Sequence, residues 1–84
     1  MASIKWNDAI ARAVRRHRAD MGISQERLAE LAGITRGYVS RIETGDVEIS
    51  LAVFVRLATA LGMAPWELLK DAELAIPKRK LPKS

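Results

Sequence analysis

The sequence predicts an all-α protein, a compact domain of five short helices around one small core. Apolar residues recur at spacings of three and four along most of the chain, which is typical of helices with one buried face. Glycines separate these segments, and a residue suited to begin a helix follows most of them. The sequence has no alternating strand pattern longer than a few residues and no internal repeat. A chain of 84 residues has room for one domain.

The first three predicted helices each end at a glycine. The first ends at Gly22, because glycine readily adopts the positive φ of the position that follows a helix. Ser24 is a good N-cap for the second helix, which Gly33 ends. Thr35 caps the third helix, and Gly45 closes it. The residues expected to face inward are Ile10, Ala13, Val14, His17 and Met21 in the first helix, Leu28, Leu31 and Ala32 in the second, and Val39 and Ile42 in the third.

Two more helices complete the predicted domain. Ser50 caps the fourth helix, and Gly62 ends it. Pro65 suits the first position of a short fifth helix, Trp66–Lys70, because the N–H that proline lacks is one that helix starts leave unpaired. The inward residues of the fourth helix are expected to be Leu51, Phe54, Val55, Ala58 and Leu61, and the core is also expected to hold Met21, Met63 and Trp66.

Charge is divided unevenly along the chain, whose formal net charge is +4. Residues 1–41 carry eight basic and four acidic side chains, whereas residues 42–76 carry two basic and six acidic ones. Residues 77–84 add Lys78, Arg79, Lys80 and Lys83 but little apolar surface, so we expect a domain over residues 1–76 and a disordered basic tail. One cationic face suits an anionic partner such as nucleic acid.

Composition excludes several classes of protein. The chain has no cysteine, which removes disulfides, thiol nucleophiles and zinc–thiolate sites, and we expect no metal and no cofactor. With one histidine and no glycine-rich phosphate loop, the sequence offers no catalytic set, so we expect no enzyme. His17 lies on the apolar stripe and is expected to be packed and hydrogen-bonded. The sequence contains no apolar run of membrane-spanning length and no secretory leader, so a cytoplasmic protein is expected.

The most informative segment is residues 25–44, QERLAELAGITRGYVSRIET. Two short helices joined by a tight turn that contains Gly33 are typical of a helix-turn-helix, and Ala29 is small where the helices cross. Over about residues 10–70 the chain resembles the repressor/Cro-type (XRE-like) helix-turn-helix family of bacteria and phages. Its compact size and the Arg-x-Tyr of residues 36–38 also resemble the restriction-modification controller subgroup. The residues that carry the resemblance are Ser24, Gln25, Ala29, Gly33, Ile42, Glu43, Gly45, Trp66, Leu68 and Leu69.

The resemblance implies that the third helix enters the major groove of DNA and reads base edges near its N-terminus. Arg36 and Arg41 can each place two donors on the O6 and N7 atoms of guanine. Gly37 departs from the phage repressors, which usually have a polar side chain at this position. Either DNA approaches the backbone closely there or the position reads nothing. The full set implied to read bases is Thr35, Arg36, Gly37, Ser40 and Arg41.

Other residues of the family pattern are implied to hold the DNA or the scaffold. The residues implied to contact phosphates are Ser24, Gln25, Tyr38 and Arg15. Gln25 matches the family's phosphate clamp at the start of the second helix, and the alternative is an ordinary polar residue of the first turn. Arg18 and Glu43 match a pair that in the family forms a buried or half-buried ion pair, so we expect both to be structural.

The resemblance implies a sequence-specific transcriptional regulator that binds double-stranded DNA as a homodimer on a palindromic operator. The dimer interface is expected near the fourth and fifth helices, on Leu68, Leu69, Ala72, Leu74 and Ile76. One alternative is an antitoxin that binds both DNA and a partner toxin, and another is an adaptor with this fold but no sequence-specific DNA binding. An adjacent toxin-like reading frame would favour the antitoxin, whereas an adjacent restriction enzyme and methyltransferase would favour a controller protein.

Overall fold

The computed structural model describes residues 6–76, which form five helices in the predicted order and no strand. The helices are α1 (Trp6–Met21), α2 (Gln25–Ala32), α3 (Arg36–Glu43), α4 (Leu51–Ala60) and α5 (Pro65–Leu74). The predicted all-α fold of five helices is therefore confirmed. The predicted basic tail, with Lys78, Arg79, Lys80 and Lys83, lies outside the described residues.

The predicted helix starts are present with the hydrogen bonds that such caps provide. Ser24, Thr35 and Ser50 each accept a bond from the backbone N–H three residues later, at 3.0, 3.1 and 3.1 Å. Pro65 is the first residue of α5, and Glu67 Oε1 accepts a bond from the N–H of Ala64, the N-cap residue, at 2.8 Å. Helices α2 to α5 therefore begin where local chemistry predicts.

Two glycines set the turns on either side of α3. Gly33 ends α2 in the left-handed region, with a φ of 71°, and turns the chain into α3. Gly45 follows α3 with a φ of 75°, and the position that a Cβ would take there is occupied by the carboxylate of Asp8 from α1. The Cα of Asp8 lies 3.4 Å from the same position. An alanine at Gly45 would therefore meet both backbone strain and the first turn of α1.

The core holds α3 in place from behind. Helix α1 packs against α3 and α5, α2 packs against α3 and α4, and α4 packs against α5. Small side chains such as Ala13 and Ala29 line the crossings, so that the helices approach closely. The largest of the fully buried side chains are Val14, Leu28, Val39, Ile42, Leu57 and Leu68. Because these side chains come from all five helices, the orientation of α3 depends on the whole core.

Five residues expected in the core are exposed instead. They are Met21, Leu31, Leu51, Val55 and Trp66. Each lies on the flank, the end or the far side of a helix whose central stripe alone faces the other helices. Trp66, for example, precedes the buried Leu68 by two residues, which turns it about 200° around α5, and its exposure is 64%. Phe54 is buried and Met63 is half-buried against the core, as expected.

Helix α5 differs from its prediction in length and in the residues that it leaves exposed. It runs from Pro65 to Leu74, beyond the predicted end at Lys70. Leu68 and Ala72 are fully buried in the core, so the expectation that they form a dimer interface is wrong.

Among the described residues no single helix is long and apolar enough to cross a bilayer. Helices α4 and α5 taken together reach the length and apolar composition of a membrane span, but the chain bends by 98° between them.

A polar contact ties α1 to α5. His17 Nε2 donates a hydrogen bond to Asp71 Oδ2 at 2.6 Å, and Arg16 Nη2 reaches the same oxygen at 3.3 Å. His17 is half-buried and lies against the core stripe, so it is the packed, hydrogen-bonded side chain that the sequence predicts. The contact fixes the second half of α5 on the scaffold.

Candidate nucleic-acid interface

The outward face of α3 carries two cations and a glycine. Val39, Ile42 and Glu43 form the buried side of this helix, and Gly37 and Arg41 lie on the opposite side, one turn apart. Arg36 is also exposed, at the first position of the helix. Within residues 6–76, the ion pairs involve neither Arg36 nor Arg41. Their guanidinium groups thus keep their donors for another molecule.

The remaining predicted contact residues of α3 differ in exposure and in the hydrogen bonds that they already make. Thr35 is exposed, but its Oγ1 accepts the bond from the Tyr38 N–H that caps α3. Ser40 is half-buried, and Tyr38 is half-buried against the core. Thr35 can still donate its hydroxyl hydrogen to another molecule. Ser24 can do the same, because its Oγ acts only as the acceptor in the bond that caps α2. The structure therefore places the predicted reading residues along α3, from Thr35 at its N-cap to Arg41 in its last turn, and leaves both arginines exposed.

Glu43 is the buried centre of a network behind α3. Only 2% of this residue is exposed. Arg18 Nε donates to Glu43 Oε2 at 2.7 Å, and Arg18 Nη2 donates to Oε1 at 3.0 Å, so the guanidinium binds the carboxylate with two donors. Gln25 Nε2 donates to Oε1 at 3.0 Å. The carboxylate thereby joins α1, the first residue of α2 and the last residue of α3.

The hydrogen bonds of Arg18 favour the charged form of its guanidinium. The bonds to Glu43 raise the pKa of Arg18 above its ordinary value, and the charge of Glu43 acts in the same direction while burial opposes both. Arg18 Nη1 also donates to the carbonyl of Ile23 at 2.9 Å, in the turn between α1 and α2. The guanidinium therefore stays charged and uses all three of its nitrogens within the protein.

Arg15 closes the C-terminal end of α3. Its Nη1 donates to the main-chain carbonyl of Glu43 at 2.6 Å. A cation at this end complements the negative pole of the helix dipole, and it offsets the Glu43 carboxylate, which lies at the same end. Arg15 is exposed and has further N–H donors beyond the one used here.

Two of these contacts are absent from the sequence-based interpretation. It assigns Gln25 and Arg15 to phosphates and pairs Glu43 with Arg18 alone. The sequence contains one indication that Glu43 is buried: it follows Ile42, on the inward face of α3. A buried carboxylate needs more than one donor group to satisfy its oxygens, so a second partner could have been expected. Within residues 6–76, no group of three or more histidines and carboxylates is placed to hold a metal ion.

A helix-turn-helix family model matches residues 14–68, which is more than half of the chain. The match begins within α1, spans α2 and α3, and ends in the first half of α5. The chain belongs to the helix-turn-helix family. The predicted membership of its XRE-type branch is confirmed. The matched segment includes the exposed face of α3 and every side chain that binds Glu43.

The relatives that this helix-turn-helix protein matches are regulators. This agrees with the prediction that the protein is not an enzyme. An uncharacterized HTH-type transcriptional regulator of Methanothermobacter thermautotrophicus is 43% identical over 49 residues, 58% of this chain and 71% of its own length. The crystal structure of the clp gene regulator ClgR from Corynebacterium glutamicum has a TM-score of 0.80 at 31% identity, covering 83% of this chain and 74% of ClgR. The crystal structure of the restriction-modification controller protein C.AhdI from Aeromonas hydrophila has a TM-score of 0.72 at 40% identity. The match covers 74% of this chain and 94% of C.AhdI.

Proposed function

We propose that this protein is a transcriptional regulator that binds double-stranded DNA sequence-specifically through α3. The observation that carries the proposal is the pair of exposed arginines, Arg36 and Arg41, on a helix whose buried side is fixed by the Glu43 network. A reading helix must be rigid, because its donors have to meet base edges within a few tenths of an ångström. Family membership and the regulators among its relatives support the same function.

Roles are divided between base edges and phosphates. In this proposal Arg36 and Arg41 bind base edges, together with Thr35, Gly37 and Ser40 where the groove brings a base within reach. The proposed phosphate contacts are Ser24, Gln25, Tyr38 and Arg15. Gln25 keeps one amide hydrogen beyond the bond to Glu43, and Arg15 keeps donors beyond its bond to α3, so each can bridge a phosphate to the scaffold. Phosphate binding would then hold α3 in register on the duplex.

The function is tested by selecting bound duplexes from a random DNA pool with the full chain at fixed salt. We expect one enriched motif with two-fold symmetry and half-sites about 10–10.5 base pairs apart, because the proposed dimer presents two copies of α3 one helical turn apart. Competition by unselected duplex at the same ionic strength serves as the control. Recovery of DNA without any shared motif would contradict sequence-specific binding, and an asymmetric motif would contradict the dimer.

The proposed dimer uses apolar side chains that the monomer leaves exposed. Most of the large exposed apolar residues lie on the last two helices: Leu51, Val55, Trp66, Leu69 and Leu74. Leu51 and Val55 share a face of α4 at a spacing of four, and Trp66 and Leu69 share a face of α5 at a spacing of three. Burying a tryptophan and several aliphatic side chains against a second copy would supply the apolar centre that stable interfaces have.

Leu69 and Leu31 provide a matched test of the interface, because both are leucines with 45% exposure, on α5 and α2 respectively. We expect Leu69→Glu to raise the dimer dissociation constant by about 10-fold or more, since it places an unpaired charge in the interface. Leu31→Glu should leave the constant unchanged. Sedimentation equilibrium over a concentration series measures both. A wild-type protein that is monomeric at tens of micromolar (~10⁻⁵ M) with and without DNA would contradict the dimer.

An antitoxin that also binds a partner toxin is the alternative function. The relatives named above include a controller protein, which favours a regulator of the controller type. We propose that it acts in the cytoplasm, on the DNA of the nucleoid. The neighbouring genes distinguish the two: a restriction enzyme and methyltransferase would support the controller, and a toxin-like reading frame would support the antitoxin.

A further inference from the structure

Gly37 is the one glycine of this chain that its fold does not require. Gly22, Gly33, Gly45 and Gly62 all have positive φ and lie in turns. Gly37 is instead an ordinary helical residue at the second position of α3. A Cβ built on it meets no atom of the protein within 4 Å, so no close approach inside the molecule excludes a side chain. Since glycine is among the poorest helix formers, the protein would hold α3 better with alanine there.

Gly37 also lies at the centre of the exposed face of α3. It is two residues before the buried Val39, and therefore about 200° around the helix from it. Arg36 and Ser40 lie along one side of this position, and Arg41 lies on the other. The missing side chain leaves a notch between longer polar side chains at the centre of this exposed face.

We propose that the notch at Gly37 receives the C5-methyl group of a thymine in each half-site. This inference rests on the proposed binding of DNA by α3. The thymine methyl is the one apolar group that a base pair projects into the major groove, and the other edges present hydrogen-bonding atoms. Gly37 has no side chain with which to bind a polar edge, whereas its methylene group and the surrounding space fit a methyl group. The adjacent arginines bind the polar edges of neighbouring base pairs.

The notch makes α3 specific by shape. A Cβ at this position would occupy the volume of the thymine methyl, so the helix would have to withdraw from the groove. Arg36 and Arg41 would then lose the distances at which their donors bind. Glycine at position 37 thus lowers the stability of α3 but allows a closer fit to DNA. This explains why a poor helix former occurs in a short recognition helix.

The test combines Gly37→Ala with removal of the methyl group from DNA. Duplexes carry the selected half-site with each thymine replaced in turn by deoxyuridine, which lacks only the C5-methyl. We expect Gly37→Ala to raise Tm by roughly 2–8 °C, as a compatible glycine-to-alanine change does in a small domain. The same variant should bind the thymine site about 10-fold or more weakly per half-site, in the range that a mismatched base pair produces.

The decisive result is compensation at one position. At one deoxyuridine position the variant should recover most of its lost affinity, while the wild-type protein binds that duplex more weakly than the thymine site. A variant that binds the thymine site as tightly as the wild type would overturn the inference. The inference would also be overturned if Gly37→Ala lost the same affinity for selected and unselected duplexes, since that result would indicate a phosphate at the notch. If the wild-type protein itself shows no sequence preference, the proposed function fails, and the wild-type measurement alone reveals it.

Discussion

Arg18→Ala is expected to lower the free energy of unfolding by about 3–5 kcal/mol. The substitution leaves the carboxylate of Glu43, which is 2% exposed, with the Gln25 amide as its remaining side-chain donor. A buried charge that has lost its counter-ion is far more costly than a lost surface pair. For a domain of this size the change corresponds to a fall in Tm of roughly 12 °C or more, measured by thermal melting.

Arg16→Ala is the matched control for Arg18→Ala, because Arg16 also lies on α1 and also pairs with a carboxylate. Its pair with Asp71 is 3.3 Å long, and its side chain is 64% exposed, so its loss should cost no more than about 1 kcal/mol. The double variant Arg18→Ala/Glu43→Gln should be more stable than Arg18→Ala alone, since the buried charge is then absent. Equal destabilisation by Arg16→Ala and Arg18→Ala, or no gain in the double variant, would contradict a buried ion pair.

The starts of α2 to α5 could be predicted from the sequence because their causes are local, whereas the end of α5 was placed too early. The hydroxyl of Ser24, Thr35 or Ser50 needs only the backbone N–H three residues later, and that partner is present whatever the rest of the chain does. The positive φ of Gly33 is likewise a property of one residue and its turn. Such signals act over about four residues, so one sequence is enough to find them.

The burial of flanking residues could not be predicted, because it depends on which helix lies beside each flank. The periodicity of α4 correctly places Phe54 and Ala58 inward, but Leu51 and Val55 lie on the edge of the same stripe. Whether an edge residue is covered is decided by the crossing angles of α4 with α2 and α5, which periodicity does not contain. Leu51 has 77% exposure because no described helix covers that edge.

The Glu43 network could be predicted only in part for a related reason. Arg18 and Glu43 have opposite charges and match a family pair, so their contact follows from the resemblance. Gln25 has two chemically suitable partners, a phosphate and a buried carboxylate, and its amide can donate to either. Which partner it binds depends on how close the start of α2 lies to the end of α3. In this fold the two are close enough for Gln25 Nε2 to donate to Glu43 Oε1 at 3.0 Å.

Arg36→Ala and Arg41→Ala are each expected to weaken binding to the selected site by about 1–3 kcal/mol per half-site and to relax the preference at one base pair. A dimer carries two half-sites, so the effect on the whole operator approaches twice that value. We expect the larger effect at Arg36, because it is the first residue of α3, at the end that enters the groove. Titration of matched and singly mismatched duplexes at one salt concentration measures both the affinity and the preference.

Arg56→Ala and Gln25→Ala are the controls that separate base reading from other effects of these substitutions. Arg56 is exposed on α4, so its removal subtracts the same charge without touching α3. Gln25→Ala should weaken all duplexes alike, because a phosphate contact has no base identity, and it should also lower Tm by removing one bond to Glu43. If both arginine variants kept the wild-type preference, α3 would not be the reading helix. If only Arg41→Ala kept it, the bases would be read from the N-terminal end of α3 alone, and Arg41 would join the residues that hold phosphates.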